Sequence, residues 1–268
     1  MPAPLIQEYD IHIIPYQLIW DGKVYLDLED MMPSEFFERF GRDGNYPTTA
    51  QPLPKSFADT YERVAQQADS ILSIHVPETL TTTIQVARLM AQEAPIPVHV
   101  MSAGTAAAAQ GFVVLAAARA AKAGADLTQV IAVAQDYIQR VGMYLILETL
   151  EHLHRGGRIG HAAALFGTRL RIQPIIELKK GRVHVTAVVR NRERAKERML
   201  DEVERHVGSQ PIGASVFHAN ALKEAQELAQ RVQQRFRCEE LYIVEFTPVM
   251  GAHTGPGVLG VAFYPREV

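Results

Sequence analysis

The chain has 268 residues, 47% hydrophobic and 21% charged, with 27 Lys and Arg against 30 Asp and Glu for a net charge of −3. That length suits one large domain or two modest ones, and the charge balance offers no basic surface for nucleic acid. The lone cysteine, Cys238, excludes an internal disulfide and a thiolate zinc cluster.

The longest apolar stretches, such as FVVLAAARAAKAGA, meet Arg or Lys well short of the roughly 18 residues a membrane span needs, so no integral membrane segment is expected. The start, MPAPLIQEYD, lacks the charged-then-hydrophobic order of a secretory signal, and a cytoplasmic location is expected. Tyr16 to Asp27 reads as two extended runs around Asp21-Gly22, a short hairpin signal. PSEFFERF follows as a short helix with Ser34 as its expected N-cap. After the loop NYPTTAQPLP, a helix is predicted over Lys55 to Gln67, then a strand SILSIHV and a helix from near Thr79 to Ala91. PVHVMS reads as a buried strand. An Ala-rich helix follows from Thr105 to Ala123, stopped by Gly124, and Asp126 or Thr128 caps the next. This alternation predicts parallel βαβ units through the first half.

The second half reads differently. MYLILETLEHLHRGG is a strand running into a short helix, and RIQPIIELKKGRVHVTAVVR a β-hairpin around Lys179 to Arg182. Helices are predicted over Arg192 to Val207 and Ala221 to Phe236 with the strand GASVFHA between them, then two closing β runs, LYIVEFT and VLGVAFY. The expected division is residues 1–142 and 143–268, two α/β domains without a linker.

Several stretches combine hydroxyls, glycine and arginine. PTTAQP carries Thr48 and Thr49, and ETLTTT sets Thr81, Thr82 and Thr83 at a predicted helix start, where free N–H groups attract anions. GGRIG holds Arg158 and VVRN holds Arg190. Near the end, GAHTGPGVLG sets His253, Thr254 and Gly255 among glycines that allow positive φ and close approach to a ligand. The threonines also suit plain helix capping, and each arginine also suits a surface ion pair. Asp27, Glu29 and Asp30 read as a solvated acidic turn. His152 and His154 sit at i,i+2 on a predicted helix and point to different faces, so no metal site is expected. No nucleophile elbow, phosphate-binding Walker loop or His-Glu-x-x-His is present, and no cofactor is expected. The inventory favours a binder of an anion over a catalyst.

Taken in order, IHIIPYQLIWDGKVYLD, YPTTAQP, LTTTIQVA, HRGGRIGHAAALFGTRLRIQPII, VVRNRERA and GAHTGPGVLG resemble the DegV family of bacterial fatty-acid-binding proteins over nearly the whole chain. The resemblance implies a three-layer α/β/α domain on a mainly parallel sheet followed by a two-layer α/β domain with a mixed sheet. It implies a long-chain fatty acid with its tail in an apolar tunnel, lined by residues such as Ile84, Leu115 and Phe166, and its carboxylate at the domain junction. It also implies a partner fatty acid kinase that makes an acyl phosphate from the presented acid. By position, Thr49 matches the threonine of the family's Thr-Ser-Gln-Pro loop. Thr81 and Thr83 match the serine and threonine of its Leu-Ser-Gly-Thr helix start. Arg158, Arg190 and His253 match its two arginines and C-terminal histidine. The hydroxyls and His253 are then head-group ligands, and the arginines serve the head group, ligand exchange or kinase docking.

The chain departs from the family pattern in four places. The family's opening strand, which ends in Asp-Ser, has no counterpart before MPAPLIQEYD. Ala50 stands where a serine is usual, Thr82 replaces a glycine and should crowd the ligand, and Gln173 replaces a lysine. The alternative reading is a phosphoryl-transfer enzyme related to dihydroxyacetone kinases, against which stands the lack of an acidic Mg²⁺-holding cluster. A DNA-associated regulator is disfavoured by the acidic balance.

Overall fold

A two-residue turn sets strand pairing near the start of the chain. In the computed structural model, which describes residues 1–42, 44–165 and 172–266, Asp21 and Gly22 both take positive φ, as a tight type I′ hairpin requires. After helix α1 (Ala3–Glu8), this turn joins β1 (Gln17–Trp20) to β2 (Lys23–Leu26). Helix α2 (Pro33–Arg39) begins with Pro33 at its first position and Met32 as N-cap, not Ser34, because proline's missing N–H costs nothing there. Strand β3 (Thr48–Ala50) pairs antiparallel with β1, giving a three-stranded sheet in the order β2-β1-β3. Leu18 and Trp20 point inward and are buried.

Helix α3 (Pro54–Val64), β4 (Ile71–His75), α4 (Thr83–Ala91) and β5 (Val98–Ser102) follow. β4 and β5 pair in parallel across α4, the expected βαβ unit. Two details differ from expectation. In β5 only Met101 is buried. Helix α4 starts at Thr83 rather than Thr79, because a turn from Leu80 N–H to Pro77 C=O holds the chain out of the helix until then. Next come α5 (Ala107–Lys122) and α6 (Leu127–Arg140), the latter opened by the expected cap, an Asp126–Gln129 capping box.

From Gly142 onward the chain builds one large sheet. Its elements are β6 (Gly142–Ile146), α7 (Glu151–Arg155), a 3-10 turn (Gly160–Leu165), β7 (Gln173–Lys179), β8 (Arg182–Val189), α8 (Arg192–Val207), β9 (Ile212–His218), α9 (Leu222–Arg235), β10 (Cys238–Glu245), α10 (Pro248–Thr254) and β11 (Leu259–Pro265). The strand order is β10-β9-β11-β6-β7-β8, parallel only between β9 and β10, a mixed sheet as expected. On one face, Met199 and Val203 of α8 and Leu228 and Val232 of α9 pack against Ile146, Ile175, Val216 and Val261. On the other, Leu145, Ile176, Phe217 and Tyr264 join Phe112 of α5 and Leu18 and Trp20 of the hairpin in one apolar cluster. Helix α5 packs Phe112 toward the six-stranded sheet and Val113 and Ala117 toward the β4–β5 pair, and Gly142 opens the first strand of the six-stranded sheet. Phe166, expected along the tail path, lies outside the described residues; Ile84 and Leu115 are buried.

A polar clasp crosses this seam. Arg119 of α5 contacts Glu240 of β10 at 2.8 Å, and the hydroxyls of Tyr242 and Tyr264 also donate to Glu240. Burial opposes the charge on Glu240, but hydrogen bonds from Arg119 and the two tyrosines outweigh it and hold the carboxyl down at about 2. Glu240→Gln leaves Arg119 without its counter-charge, and the expected loss is about 3 kcal/mol, read from urea unfolding at pH 7. An unchanged midpoint would mean that the clasp is neutral.

Candidate functional site

The site forms where α10 meets the first fifty residues. GAHT, expected as loop, is the end of α10: Pro248 occupies the first turn, Thr247 Oγ1 accepts the Met250 N–H at 3.4 Å, and Asp27 Oδ1 accepts the Val249 N–H at 3.0 Å. Asp27 is thus a cap for another element, not part of a solvated turn. Gly251 lets α10 lie directly on α2, since a Cβ there would sit 2.6 Å from Phe36 Cε1.

This docking aims His253, in the last turn of α10, at β3. His253 Nε2 lies 2.8 Å from Thr49 Oγ1. Its Nδ1 is buried with no hydrogen-bond partner, facing Gly156, where any Cβ would collide with the ring. An unpartnered buried N–H costs more than an unpartnered lone pair, so the favoured tautomer carries its proton on Nε2 and donates to Thr49. Thr49 then keeps its own O–H free for something else. Burial, and secondarily the charge of Arg158, lower the His253 pKa to about 4, so the ring is neutral at pH 7.

A second hydroxyl chain runs beside it. Thr81 Oγ1 and Thr83 Oγ1 are 2.8 Å apart, and Thr83 Oγ1 donates to the Tyr16 hydroxyl at 2.8 Å. Thr81 also accepts the Thr83 N–H at 3.3 Å, while Thr82, the N-cap of α4, makes no side-chain cap hydrogen bond, so helix capping accounts for little of the threonine group. With Thr83 donating to Tyr16, Thr81 can donate to Thr83, and Thr81 also lies within reach of the Tyr16 hydroxyl, so the three hydroxyls form one group. Tyr16 was not read from the sequence as a site residue. It precedes β1 by one position, two residues before Leu18, which pairs with Thr49, so alternation sets Tyr16 and Thr49 on one face as diagonal neighbours. Burial raises the Tyr16 pKa against the pull of Thr83, Thr81 and Arg158, and the phenol stays protonated.

Arg158 joins the two chains electrostatically. Its guanidinium donates to the carbonyls of Leu80 at 3.1 Å and Gly156 at 2.5 Å. It is half-buried and has no carboxylate partner among the described residues. Its charge still reaches both Tyr16 and His253.

The remaining expected site residues lie elsewhere or are already engaged. Arg190 is exposed just beyond β8, with no hydrogen bond or ion pair to the cluster among the described residues. Thr254 is buried and donates back to Met250 C=O at 2.9 Å. Gly255 ends α10 at φ 73°, bonds Gly251 C=O through its N–H, and abuts the His152 ring so closely that no Cβ fits. Its glycine serves chain reversal and packing. The sequence departures also find local explanations. Thr82 is exposed and donates to Gln51 Oε1, away from the hydroxyl chain, so it does not crowd it. Ala50, next after Thr49 in β3, points to the opposite face. Gln173 accepts from Arg192 Nη1 at 3.4 Å, where a lysine would add a second cation. Among the described residues no group of three or more His, Cys, Asp or Glu could hold a metal ion, and no helix is long and apolar enough to cross a membrane.

Residues 1–266 match the profile of the DegV family, whose members are described as uncharacterised proteins. The chain belongs to the DegV family. A DegV domain-containing protein of Streptomyces coelicolor is 39% identical, covering 82% of this chain and 79% of its own length. One from Clostridium perfringens is 30% identical over 100% of this chain and 95% of its own. Among solved structures, a DegV family protein from Thermus thermophilus, described by its fatty acid binding, aligns with a TM-score of 0.93 at 33% identity. It covers 99% of this chain and 96% of its own. DegV from Bacillus subtilis, described as a fatty acid binding protein, gives 0.91 at 26% identity, over 99% and 95%. In this DegV chain the cluster brings the Thr49 and Tyr16 hydroxyls and a neutral histidine near the charge of Arg158, which has no carboxylate partner among the described residues.

Proposed function

We propose that this DegV protein binds a long-chain fatty acid, with the carboxylate received by the Thr49 and Tyr16 hydroxyls beside Arg158 and the tail among the apolar residues between the two sheet systems. The observation that carries the reading is the pair of hydroxyls at Thr49 and Tyr16, with the Thr49 proton left unengaged by His253, next to a cation with no carboxylate partner among the described residues. A carboxylate leaving water needs several such bonds. His253 acts through Thr49 by fixing the direction of its proton, and Thr81 and Thr83 do the same for Tyr16. Tyr16 and Leu80 pack against the large apolar cluster, so the tail can leave the head group directly into it. Burying a C16 tail at about 0.8 kcal/mol per methylene gives a gross gain of order 10 kcal/mol, from which ordering of the chain subtracts. Affinity then comes from the tail and orientation from the head group. The protein is a carrier that presents the acid to a partner fatty acid kinase for acyl-phosphate formation, and does no chemistry itself.

The test is native mass spectrometry of protein purified without detergent, with solvent extraction of the same sample. The expected result is a co-purifying C14 to C18 acid in the wild type, with Tyr16→Phe and Thr49→Val each lowering occupancy about tenfold, the worth of one hydrogen bond to a charged group. Bare protein that also takes up no added palmitate or oleate would sink the reading.

A further inference from the structure

A cavity of about 20 Å³ lies between α5, β9, β10 and the start of the chain, walled by Ala108, Gly111, Phe112, Leu115, Ser215 and Val244 among others. Two of these residues are unfavourable choices for a plain packing contact. Gly111 sits inside a 16-residue helix, where glycine is worse than alanine. Yet a Cβ on Gly111 would meet only Met1 Cε at 3.8 Å, an ordinary contact, so no steric conflict demands glycine there. Ser215 is 3% exposed, and its Oγ has no hydrogen-bond partner, a costly state for a buried hydroxyl. Alternation along β9 turns Ser215 to the side of Phe217, toward α5. Small residues on helix and strand thus hold open a space that larger ones would fill.

Water is a poor occupant. A water held at the buried Ser215 hydroxyl needs roughly two to four polar partners, and apart from Ser215 the only polar side chain on the wall, which Met1, Pro2 and Leu5 complete on its open side, is Tyr242, whose hydroxyl is engaged with Glu240. An apolar group suits the wall better. Ala108 and Phe112 of the wall belong to the cluster against which Tyr16 and Leu80 pack at the head-group end, with Tyr242 and Val244 also packed on it, so one unbroken apolar region joins the two.

We propose that this cavity receives the methyl end of the bound acyl chain, and that Gly111 and Ser215 limit its length. The inference rests on the fatty-acid reading above and adds the residues that select among acids. Wild type, Gly111→Ala and Ser215→Val are each loaded from an equimolar mixture of C12, C14, C16 and C18 saturated acids, and the bound acids are extracted and quantified. The expected result is a fall in the C18 to C14 ratio of about fourfold for each methyl added to the wall, the worth of one excluded methylene. Gly111→Ala has room for its methyl, so it keeps the test sound if Ser215→Val melts early. Wild type that loads, with both variants giving its ratio, overturns this inference alone. Wild type that takes up none of the acids overturns the fatty-acid reading, and this one with it.

Discussion

Replacing Arg158 by methionine is expected to weaken palmitate binding about 100-fold while changing hexadecanol binding by less than about threefold. Truncating one member of a buried, hydrogen-bonded charge pair costs about 2–5 kcal/mol, a factor of roughly 30 to several thousand. The guanidinium is anchored on the carbonyls of Leu80 and Gly156, so its position is set before any ligand arrives. No carboxylate among the described residues neutralises it, so a ligand carboxylate meets a full charge. The alcohol keeps the tail and the hydroxyl contacts but offers no charge, which separates the electrostatic contribution from packing. Equal losses for acid and alcohol would mean that Arg158 only holds the Leu80 and Gly156 segments together. The same variant should raise the His253 pKa toward its ordinary value, because the Arg158 charge helps lower it; NMR titration of the ring reads this directly.

Acid should destabilise the protein well above the range where carboxylates titrate. His253 and His75 both have pKa values lowered to about 4, in each case first by burial. For a base with a depressed folded pKa, the unfolded chain binds the proton first. Stability is therefore full above about pH 6.5, falls as pH drops from 6.5 to 4, and loses nothing further from these groups below that. Each ring contributes about 3 kcal/mol over that window. His75 is held by Ser73 Oγ at 2.7 Å, itself 2.8 Å from the Tyr61 hydroxyl, so its share is structural and independent of the ligand site. Urea midpoints at pH 7 and pH 4.5 measure the sum of these two and of His152, His206 and His218, whose pKa values burial also lowers. His75→Gln and His253→Gln should each flatten the slope, and a slope unchanged in both would show that neither ring remains neutral in the fold.

Local signals in the sequence carried much of the architecture. Helix α8 spans Arg192–Val207, the range its polar and apolar spacing predicts. The β7–β8 turn holds Lys180 and Gly181 at positive φ, where glycine and a short loop mark a tight reversal. What escaped was long-range or overridden. Tyr16, inside the apolar run IHIIPYQLIW, looks like one more core aromatic, and only the pairing of β1 with β3 brings it beside Thr49. Helix α10 was legible in principle, since Thr247-Pro248 is a cap followed by a first-turn proline, but the glycines at 251 and 255 disguised it as loop. Of the threonines of ETLTTT, Thr81 and Thr83 turn toward Tyr16 and Thr82 toward Gln51, a division that depends on the turn that delays α4 to Thr83. Arg190 shows the converse limit: its chemistry suits an anion, and its exposed place past β8 does not bring it there.

The Thr49–His253 contact spans 204 residues of chain. At a synthesis rate of about 5–20 residues per second, Thr49 waits roughly 10 to 40 seconds for its partner to be made. Until then no ring directs the Thr49 hydroxyl, and Leu18, Trp20 and Phe112 also wait for the second-half strands that complete their apolar cluster. A lipid cannot template the first half during translation through this contact. For the acid-binding role proposed above, the head-group cluster is therefore complete only in the nearly finished molecule.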